Sequence, residues 1–259
     1  MNSHGVIVAL AKQPRFTHSR VAMETAISPS LKLRLLSSLV LIPIVIASLT
    51  LGGWFFAVFI AIVIAIAYAE WIGLSLKLSS SAHIKILAVL VGTLYLGSAF
   101  AEMMILRTYT QCGLFLTLSF LFAVWSSDTG AYIFGKMIGG AKLCPTISPN
   151  KTWAGLGGAV AGPALILPLW FILTPLWAFV MDTPPSVSLG LLAICSLFGT
   201  LIGLIGQAGD LSISLLKRKA GVKDTGNLIP GHGGILDRID SLLLALPVFL
   251  AFAKILLAP

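Results

Sequence analysis

Length, composition and charge together exclude a water-soluble globular domain. The chain has 259 residues, of which 58% are hydrophobic and 10% are charged. Its ratio of apolar to charged residues is about twice that of a soluble domain. The net charge of +8 requires no nucleic acid, because basic residues at a cytoplasmic membrane surface face anionic lipid headgroups.

The chain is predicted to begin with an N-terminal extension, residues 1–30, that lacks stable structure. It contains no apolar run of the kind found in a cleavable signal peptide. Met23 is an alternative translation start to Met1. Residues 31–259 are predicted to form one transmembrane domain.

Long stretches without Asp, Glu, Lys or Arg cover residues 35–69, 108–127, 152–181, 183–209 and 241–253. A bilayer core needs about 20 apolar residues per helix, and backbone groups in lipid must bond within their own segment. We therefore predict helical spans near residues 36–50, 54–70, 86–101, 108–127, 154–180, 187–206 and 241–257.

The predicted fold is all-α, a polytopic transmembrane helical bundle of about seven to nine spans. A break at residues 50–53 divides the first stretch into two spans. If the count exceeds seven, residues 129–140 would supply a short or re-entrant helix.

Basic residues predict the orientation of the bundle. Five of them precede the first predicted span, and others lie in segments 136–151 and 217–238. Because cytoplasmic loops are enriched in Lys and Arg, we expect a cytoplasmic N-terminus, with both polar segments on the same side.

Polarity is concentrated in residues 209–240, GDLSISLLKRKAGVKDTGNLIPGHGGILDRID, which hold four of the nine acidic residues and five of the seventeen basic ones. A solvated cytoplasmic loop would explain the basic residues but not the carboxylates. Charged groups beside membrane spans are costly, so their concentration indicates a functional site.

Three carboxylates in this segment are candidate metal ligands. Asp237 and Asp240 are spaced i, i+3, so a helix would place them on one face, and Asp210 ends the preceding apolar run. Mg²⁺ is bound by a few carboxylates together with water and phosphate oxygens. The alternative is that these carboxylates pair with Arg238 or with lysines.

A glycine-rich turn at residues 230–234 lies between these carboxylates. Glycines such as Gly233 and Gly234 let backbone N–H groups approach a phosphate closely, and basic side chains surround the turn. We interpret this region as a polyphosphate site. His232 would contact a phosphate or transfer a proton, although a loop histidine is more often structural. The basic residues are Lys217, Arg218, Lys223 and Arg238.

A second polar patch covers residues 128–153. Asp128 follows one predicted span, and Lys151 with neighbouring hydroxyl groups precedes the next. A helix start of this kind favours anions. The alternative is a membrane-interface anchor with a helix cap at Ser148 or Thr152.

Carboxylates, fixed cations and a glycine-rich turn at a membrane surface favour transfer of a phosphoryl or nucleotidyl group to a lipid, since such transfers depend on positioning and charge stabilisation. The segment also resembles the signature motif of the phosphatidate cytidylyltransferases, or CDP-diacylglycerol synthases. The matching residues are Ser214, Leu216, Lys217, Arg218, Lys223, Asp224, Pro230, His232, Gly233, Gly234, Asp237, Arg238, Ile239 and Asp240.

Residues 148–153, SPNKTW, are similar to a second motif of that family, usually Ser-Pro-Lys-Lys-Thr followed by an aromatic residue and Glu-Gly. Asn150 replaces the first Lys here, and Ala154 stands where Glu is usual. Lys151 is therefore the matching cation.

The resemblance implies a Mg²⁺-dependent reaction, with a second cation permitted, in which CTP and phosphatidic acid give CDP-diacylglycerol and pyrophosphate. It implies metal ligation by Asp210 and Asp237 first and Asp240 next, with Lys151 as a further catalytic residue. The implied substrate-binding residues are Lys217, Arg218, Lys223, Asp224, His232, Gly233, Gly234, Arg238 and Asp128. Asp224 would pair with Lys223 or Arg218, or join the metal ligands.

The expected location is a bacterial inner membrane, with the site facing the cytoplasm and the protein free to form a homodimer. A transporter is disfavoured because it would carry matched polar breaks in both halves of the chain. A CTP-dependent lipid kinase remains an alternative that product analysis would distinguish.

Overall fold

The computed structural model describes residues 29–108, 112–173, 187–228 and 233–257, with side chains from residue 39 onward. Within these ranges the elements are α1 (Pro29–Leu51), α2 (Gly53–Ser75), α3 (Ala82–Thr108), α4 (Gly113–Met137), β1 (Lys142–Cys144), β2 (Ser148–Thr152), α5 (Trp153–Leu173), α6 (Leu189–Lys219) and α7 (Leu236–Leu256). Each predicted span overlaps one of these helices, while residues 109–111 and 174–180 of the predicted spans lie outside the described residues. The prediction of an all-α bundle is confirmed apart from one small hairpin.

Six of the described helices, α2 to α7, are long and apolar enough to cross a membrane. Their outer faces carry large exposed apolar side chains, among them Leu94 at 75% and Leu165 at 70% exposure. Apolar surface of this extent is typical of contact with lipid. The protein is therefore an integral membrane protein, while the number of spans and the side of the N-terminus stay predictions.

Glycines in the left-handed region end helices. Gly52 and Gly53, with φ of 61° and 51°, separate α1 from α2 at the predicted break. Gly139 and Gly140, with φ of 64° and 87°, follow α4. Residues 129–137 continue α4 rather than forming a separate short or re-entrant helix, so that expectation is wrong. The helical hydrogen-bond pattern persists until glycine permits a change of direction.

Several helices extend beyond the predicted spans into polar sequence. α2 reaches Ser75, α6 reaches Lys219 and α7 begins at Leu236. Apolarity defines the part of a helix that lies in lipid, but backbone hydrogen bonding continues into the interface. As a result, most of the charged residues of segment 209–240 are attached to rigid helices.

The core contains aromatic side chains from four helices. Phe120 of α4, Phe171 of α5 and Phe249 and Phe252 of α7 are all less than 2% exposed, and Phe198 of α6 packs on Phe252. Their ring centroids are 5.2–6.0 Å apart, within the range of favourable aromatic pairs. This cluster fixes α4, α5, α6 and α7 relative to one another.

α6 and α7 approach closely beside the polar segment. A Cβ atom added to Gly209 would lie 2.5 Å from the carbonyl oxygen of Asp240. Small residues at such crossings let helix backbones come together in membrane proteins. Gly209 therefore places the adjacent Asp210 next to the first turns of α7.

Candidate functional site

The first part of the site joins the β-hairpin to α6. Lys151, on β2, forms an ion pair with Asp210, with 2.6 Å between Nζ and Oδ2. Its ammonium group also donates to Gln207 Oε1 at 2.7 Å. Ser214 donates to the other oxygen of Asp210 at 3.2 Å. The side chain of Asp210 remains 31% exposed, so its carboxylate is open to a ligand.

Thr152 explains why the hairpin presents Lys151 at this point. The Thr152 hydroxyl accepts a hydrogen bond from the Gly155 N–H at 3.0 Å, as an N-cap residue does at a helix start. The predicted cap at Thr152 is thus confirmed, whereas Ser148 lies at the start of β2. Thr152 thus caps α5, and the preceding residue, Lys151, is held at the start of that helix, where it pairs with Asp210.

The second part of the site joins α6 to α7 and the loop between them. Lys217 Nζ lies 2.6 Å from Asp237 Oδ1, and the two side chains are only 12% and 7% exposed. The N–H and hydroxyl groups of Thr225 donate to Asp237 Oδ2 at 2.8 and 2.9 Å, and the Gly234 N–H donates at 3.3 Å. Asp237 thus binds two separate parts of the loop, at Thr225 and at Gly234.

Two further carboxylates lie near these ion pairs. Asp128, in the second half of α4, and Asp240 interact electrostatically with Asp210 and with each other. Asp240 is 8% exposed and accepts a hydrogen bond from the Ser241 N–H at 2.8 Å. Lys151 and the exposed Arg238 also act on Asp128. The polar patch on α4 and the polar segment therefore form one site.

The geometry agrees with the alternative of carboxylate–lysine pairing for Asp210 and Asp237. Among the described residues, no group of three His, Cys, Asp or Glu side chains is placed to hold a metal ion. A metal would therefore need ligands from water or substrate in addition to these carboxylates, which is the usual arrangement for Mg²⁺.

A cavity of about 230 Å³ opens beside Lys151 and Asp210. Its polar wall comes from α4, β2 and α6. Because Lys151 and Asp210 both line the cavity, a charged ligand inside it can reach both members of the ion pair. The polar residues that line it are Asp128, Tyr132, Asn150, Lys151, Thr152, Gln207 and Asp210.

The remaining predicted residues lie at the rim or in the loop. Lys223 and Asp224 are exposed, and Arg218 donates from Nε to the Ile147 carbonyl at 3.1 Å. Among the described residues neither Lys223 nor Arg218 forms an ion pair with Asp224, so that alternative is wrong, and metal ligation by Asp224 stays a prediction. Arg218 instead fixes the hairpin to α6. His232 lies outside the described residues.

Sequence reasoning missed three residues that bind the site together. Gln207 and Thr225 contact Lys151 and Asp237, and Glu70 of α2 accepts hydrogen bonds from the loop and from the start of α7. A signal for Glu70 existed, since it is the acidic residue that ends the uncharged stretch 35–69. Gln207 stands out similarly as an amide within an apolar run.

The chain is similar to known proteins over most of its length. A model of the cytidylyltransferase family matches residues 75–256. A phosphatidate cytidylyltransferase of Rickettsia bellii is 34% identical over 220 residues, covering 85% of this chain and 89% of the relative. Those of Brucella suis and Bacillus subtilis are 41% and 38% identical, and the chain spans 57% and 56% of their lengths. This chain therefore belongs to the cytidylyltransferase family, which confirms the resemblance carried by residues 148–153 and 214–240.

Proposed function

We propose that this protein transfers the cytidylyl group of CTP to phosphatidic acid, forming CDP-diacylglycerol and pyrophosphate in phospholipid synthesis. The observation that carries the proposal is the pair of lysine–carboxylate contacts, Lys151 with Asp210 and Lys217 with Asp237. They lie at one end of apolar helices, where a lipid headgroup and a water-soluble nucleotide meet. The names of the relatives support the same assignment.

The two lysines can bind the triphosphate by changing partners. Each ammonium group is neutralised by a carboxylate in this structure. A triphosphate would accept hydrogen bonds from Lys151 and Lys217, as phosphates do from positioned lysines. Arg218, Lys223 and Arg238 add positive charge at the exposed rim.

The carboxylates released by this exchange fit a divalent cation. Asp210 is open to the cavity, and Asp128 and Asp240 lie within its electrostatic reach. We assign magnesium binding first to Asp210 and Asp237, with Asp240 as the next ligand and room for a second cation. When bound with the nucleotide, Mg²⁺ would neutralise phosphate charge and favour departure of pyrophosphate.

A groove between α1, α2, α3, α4 and α7 suits the acyl chains of the acceptor. It encloses about 510 Å³ and is lined almost entirely by apolar side chains. Arg238 is a charged exception in this lining. Arg238 also acts electrostatically on Asp128. A phosphatidate headgroup at Arg238 would thus lie beside the cytidylyl-transfer site while its chains occupy the groove.

The reaction then proceeds as an in-line displacement. A phosphate oxygen of phosphatidic acid attacks the α-phosphorus of CTP, forming the new pyrophosphate linkage. The bond from the α-phosphorus to its bridging oxygen breaks, and pyrophosphate departs with the bond electrons. Lys151 and Lys217 stabilise the charge that develops on the phosphate oxygens.

The bacterial relatives support a place in a bacterial inner membrane. The site would face the cytoplasm, where CTP is made, and the protein would be free to form a homodimer.

The test follows the fate of CTP in purified protein with phosphatidic acid and Mg²⁺. CTP labelled in the cytosine ring should yield a labelled lipid, and CTP labelled in the γ-phosphate should not. Asp237→Asn should abolish transfer, whereas Glu102→Gln, on α3 away from the site, should retain it. Label from the γ-phosphate in lipid would instead establish a lipid kinase, and no labelled lipid from folded wild-type protein would refute both.

A further inference from the structure

Glu70, which lies on α2, forms hydrogen bonds with the start of a different helix, α7. Its Oε1 accepts the Ile235 N–H at 2.9 Å, and its Oε2 accepts the Leu236 N–H at 2.8 Å. These N–H groups belong to the N-cap and first residue of α7 and have no partner within that helix. A negative charge at a helix N-terminus is also electrostatically favourable. Glu70 therefore acts as a cap supplied by a distant part of the chain.

The same carboxylate reaches the loop that precedes α7. The Thr225 hydroxyl lies 2.8 Å from Glu70 Oε2 and 2.9 Å from Asp237 Oδ2. Thr225 thus stands between Glu70 and the carboxylate that pairs with Lys217. A displacement of Glu70 would be transmitted to Asp237 through one side chain and through the first turn of α7.

The loop is shaped around Glu70. A Cβ atom added to Gly226 would lie 2.5 Å from Glu70 Oε1, and one added to Gly234 would lie 2.5 Å from Oε2. Both positions are glycine, so the backbone can close around the carboxylate. Gly234 also donates its N–H to Asp237, so one residue contacts both carboxylates.

We propose that Glu70 is a positioning residue for nucleotidyl transfer, which fixes Thr225, residues 233–235 and the start of α7 so that Asp237 and Lys217 face the substrates. Glu70 lies before residues 75–256, the part of the chain that the family model matches. Glu70 does not touch the substrates in this proposal. The inference rests on the proposed function for its kinetic part only.

Glu70→Gln is the sharpest variant, because it keeps the size of the side chain. One end of the amide can still accept hydrogen bonds, but its NH₂ group must face an N–H or hydroxyl donor. We expect kcat to fall by roughly 10- to 100-fold, the scale for misplaced reacting groups, with little change in KM for phosphatidic acid. Glu70→Asp keeps the charge and should recover part of the lost kcat.

Hydrogen–deuterium exchange supplies a readout that does not depend on activity. Amides of residues 233–237 should exchange faster in Glu70→Gln than in wild type. The matched control is Glu102→Gln on α3, which should leave both exchange and kcat unchanged. If Glu70→Gln does not fold, Thr225→Val compared with Thr225→Ser tests the same connection, since only serine keeps the hydroxyl.

The outcomes separate the two proposals. Unchanged exchange in Glu70→Gln, or an unchanged kcat in an active protein, would overturn the positioning role. Faster exchange with a lower kcat supports it. Wild-type protein without cytidylyl transfer would refute the proposed function, while the exchange measurement would still decide whether Glu70 holds the loop.

Discussion

Replacing Lys217 by methionine removes the cation that neutralises Asp237 while keeping a side chain of similar length. Because the two side chains are only 12% and 7% exposed, the carboxylate would be left nearly buried without a counter-charge. Removal of one member of a buried pair costs about 3–5 kcal/mol. Three remaining donors, from Thr225 and Gly234, still stabilise Asp237, so we expect about 3 kcal/mol, at the low end of that range.

Asp237→Asn should have a similar effect for a different reason. The amide NH₂ group would face Lys217 on one side or the donors of Thr225 and Gly234 on the other. A buried polar group without a partner costs about 1–3 kcal/mol, and the ammonium group of Lys217 also loses its counter-charge. The double variant should lose less than the two single variants combined, with a coupling of about 2 kcal/mol.

Thermal unfolding in detergent, without nucleotide or metal, measures these differences free of stabilisation by ligand. A loss of 3 kcal/mol corresponds to a shift of about 6–12 °C for a chain of this size. Lys219→Met, an exposed position on the same helix, is the matched control. The reasoning fails if Lys217→Met unfolds at the temperature of the Lys219 control, or if the effects of the two site variants simply add.

Three other variants test the packing and the cavity. Gly209→Ala should lower the free energy of unfolding by about 1–3 kcal/mol through overpacking against the Asp240 carbonyl. The control Gly157→Ala places its methyl group in open space and should not lower it. Equal unfolding temperatures for the two variants would contradict the close crossing of α6 and α7. Asn150→Lys adds a cation to the cavity wall and should lower KM for CTP by about tenfold or less, as expected for roughly 1 kcal/mol from an exposed charge; an unchanged or higher KM would argue against triphosphate binding there. Trp71→Phe removes the donor of a 2.8 Å bond to a carbonyl of α3 and should cost about 1–3 kcal/mol in thermal unfolding; an unchanged midpoint would show that this bond does not hold α2 to α3.

The order of the loop before α7 should depend on Asp237 but not on Asp210. Asp237 accepts hydrogen bonds from the loop backbone, whereas Asp210 contacts only side chains among the described residues. Asp237→Asn should therefore increase hydrogen–deuterium exchange near Thr225, and Asp210→Asn should not. Equal exchange in the two variants would contradict the different roles that their surroundings indicate.

The amino-acid sequence by itself determined that the chain is a helical membrane protein. Uncharged stretches of sufficient length admit few folds in lipid, because each backbone group must be hydrogen-bonded within its own segment. The resemblance of residues 214–240 to a family motif also placed Lys217 and Asp237 in one predicted site, and Asp210 was added to it because it ends the preceding apolar run. The ends of the helices were less predictable from the sequence, because backbone hydrogen bonding along α4 and α6 continues past the apolar residues into polar sequence.

The tertiary structure alone decided which charges meet. Lys151 and Asp210 are far apart in sequence, as are Glu70 and the start of α7, and their contacts depend on how α2, α5, α6 and α7 cross. Local spacing carries no information about such pairings, which explains why the hydrogen bonds from the loop and from the start of α7 to Glu70 were not expected. Close crossings at glycine and the packing of aromatic residues in the core set the helix positions. Those positions determine which lysine neutralises each carboxylate.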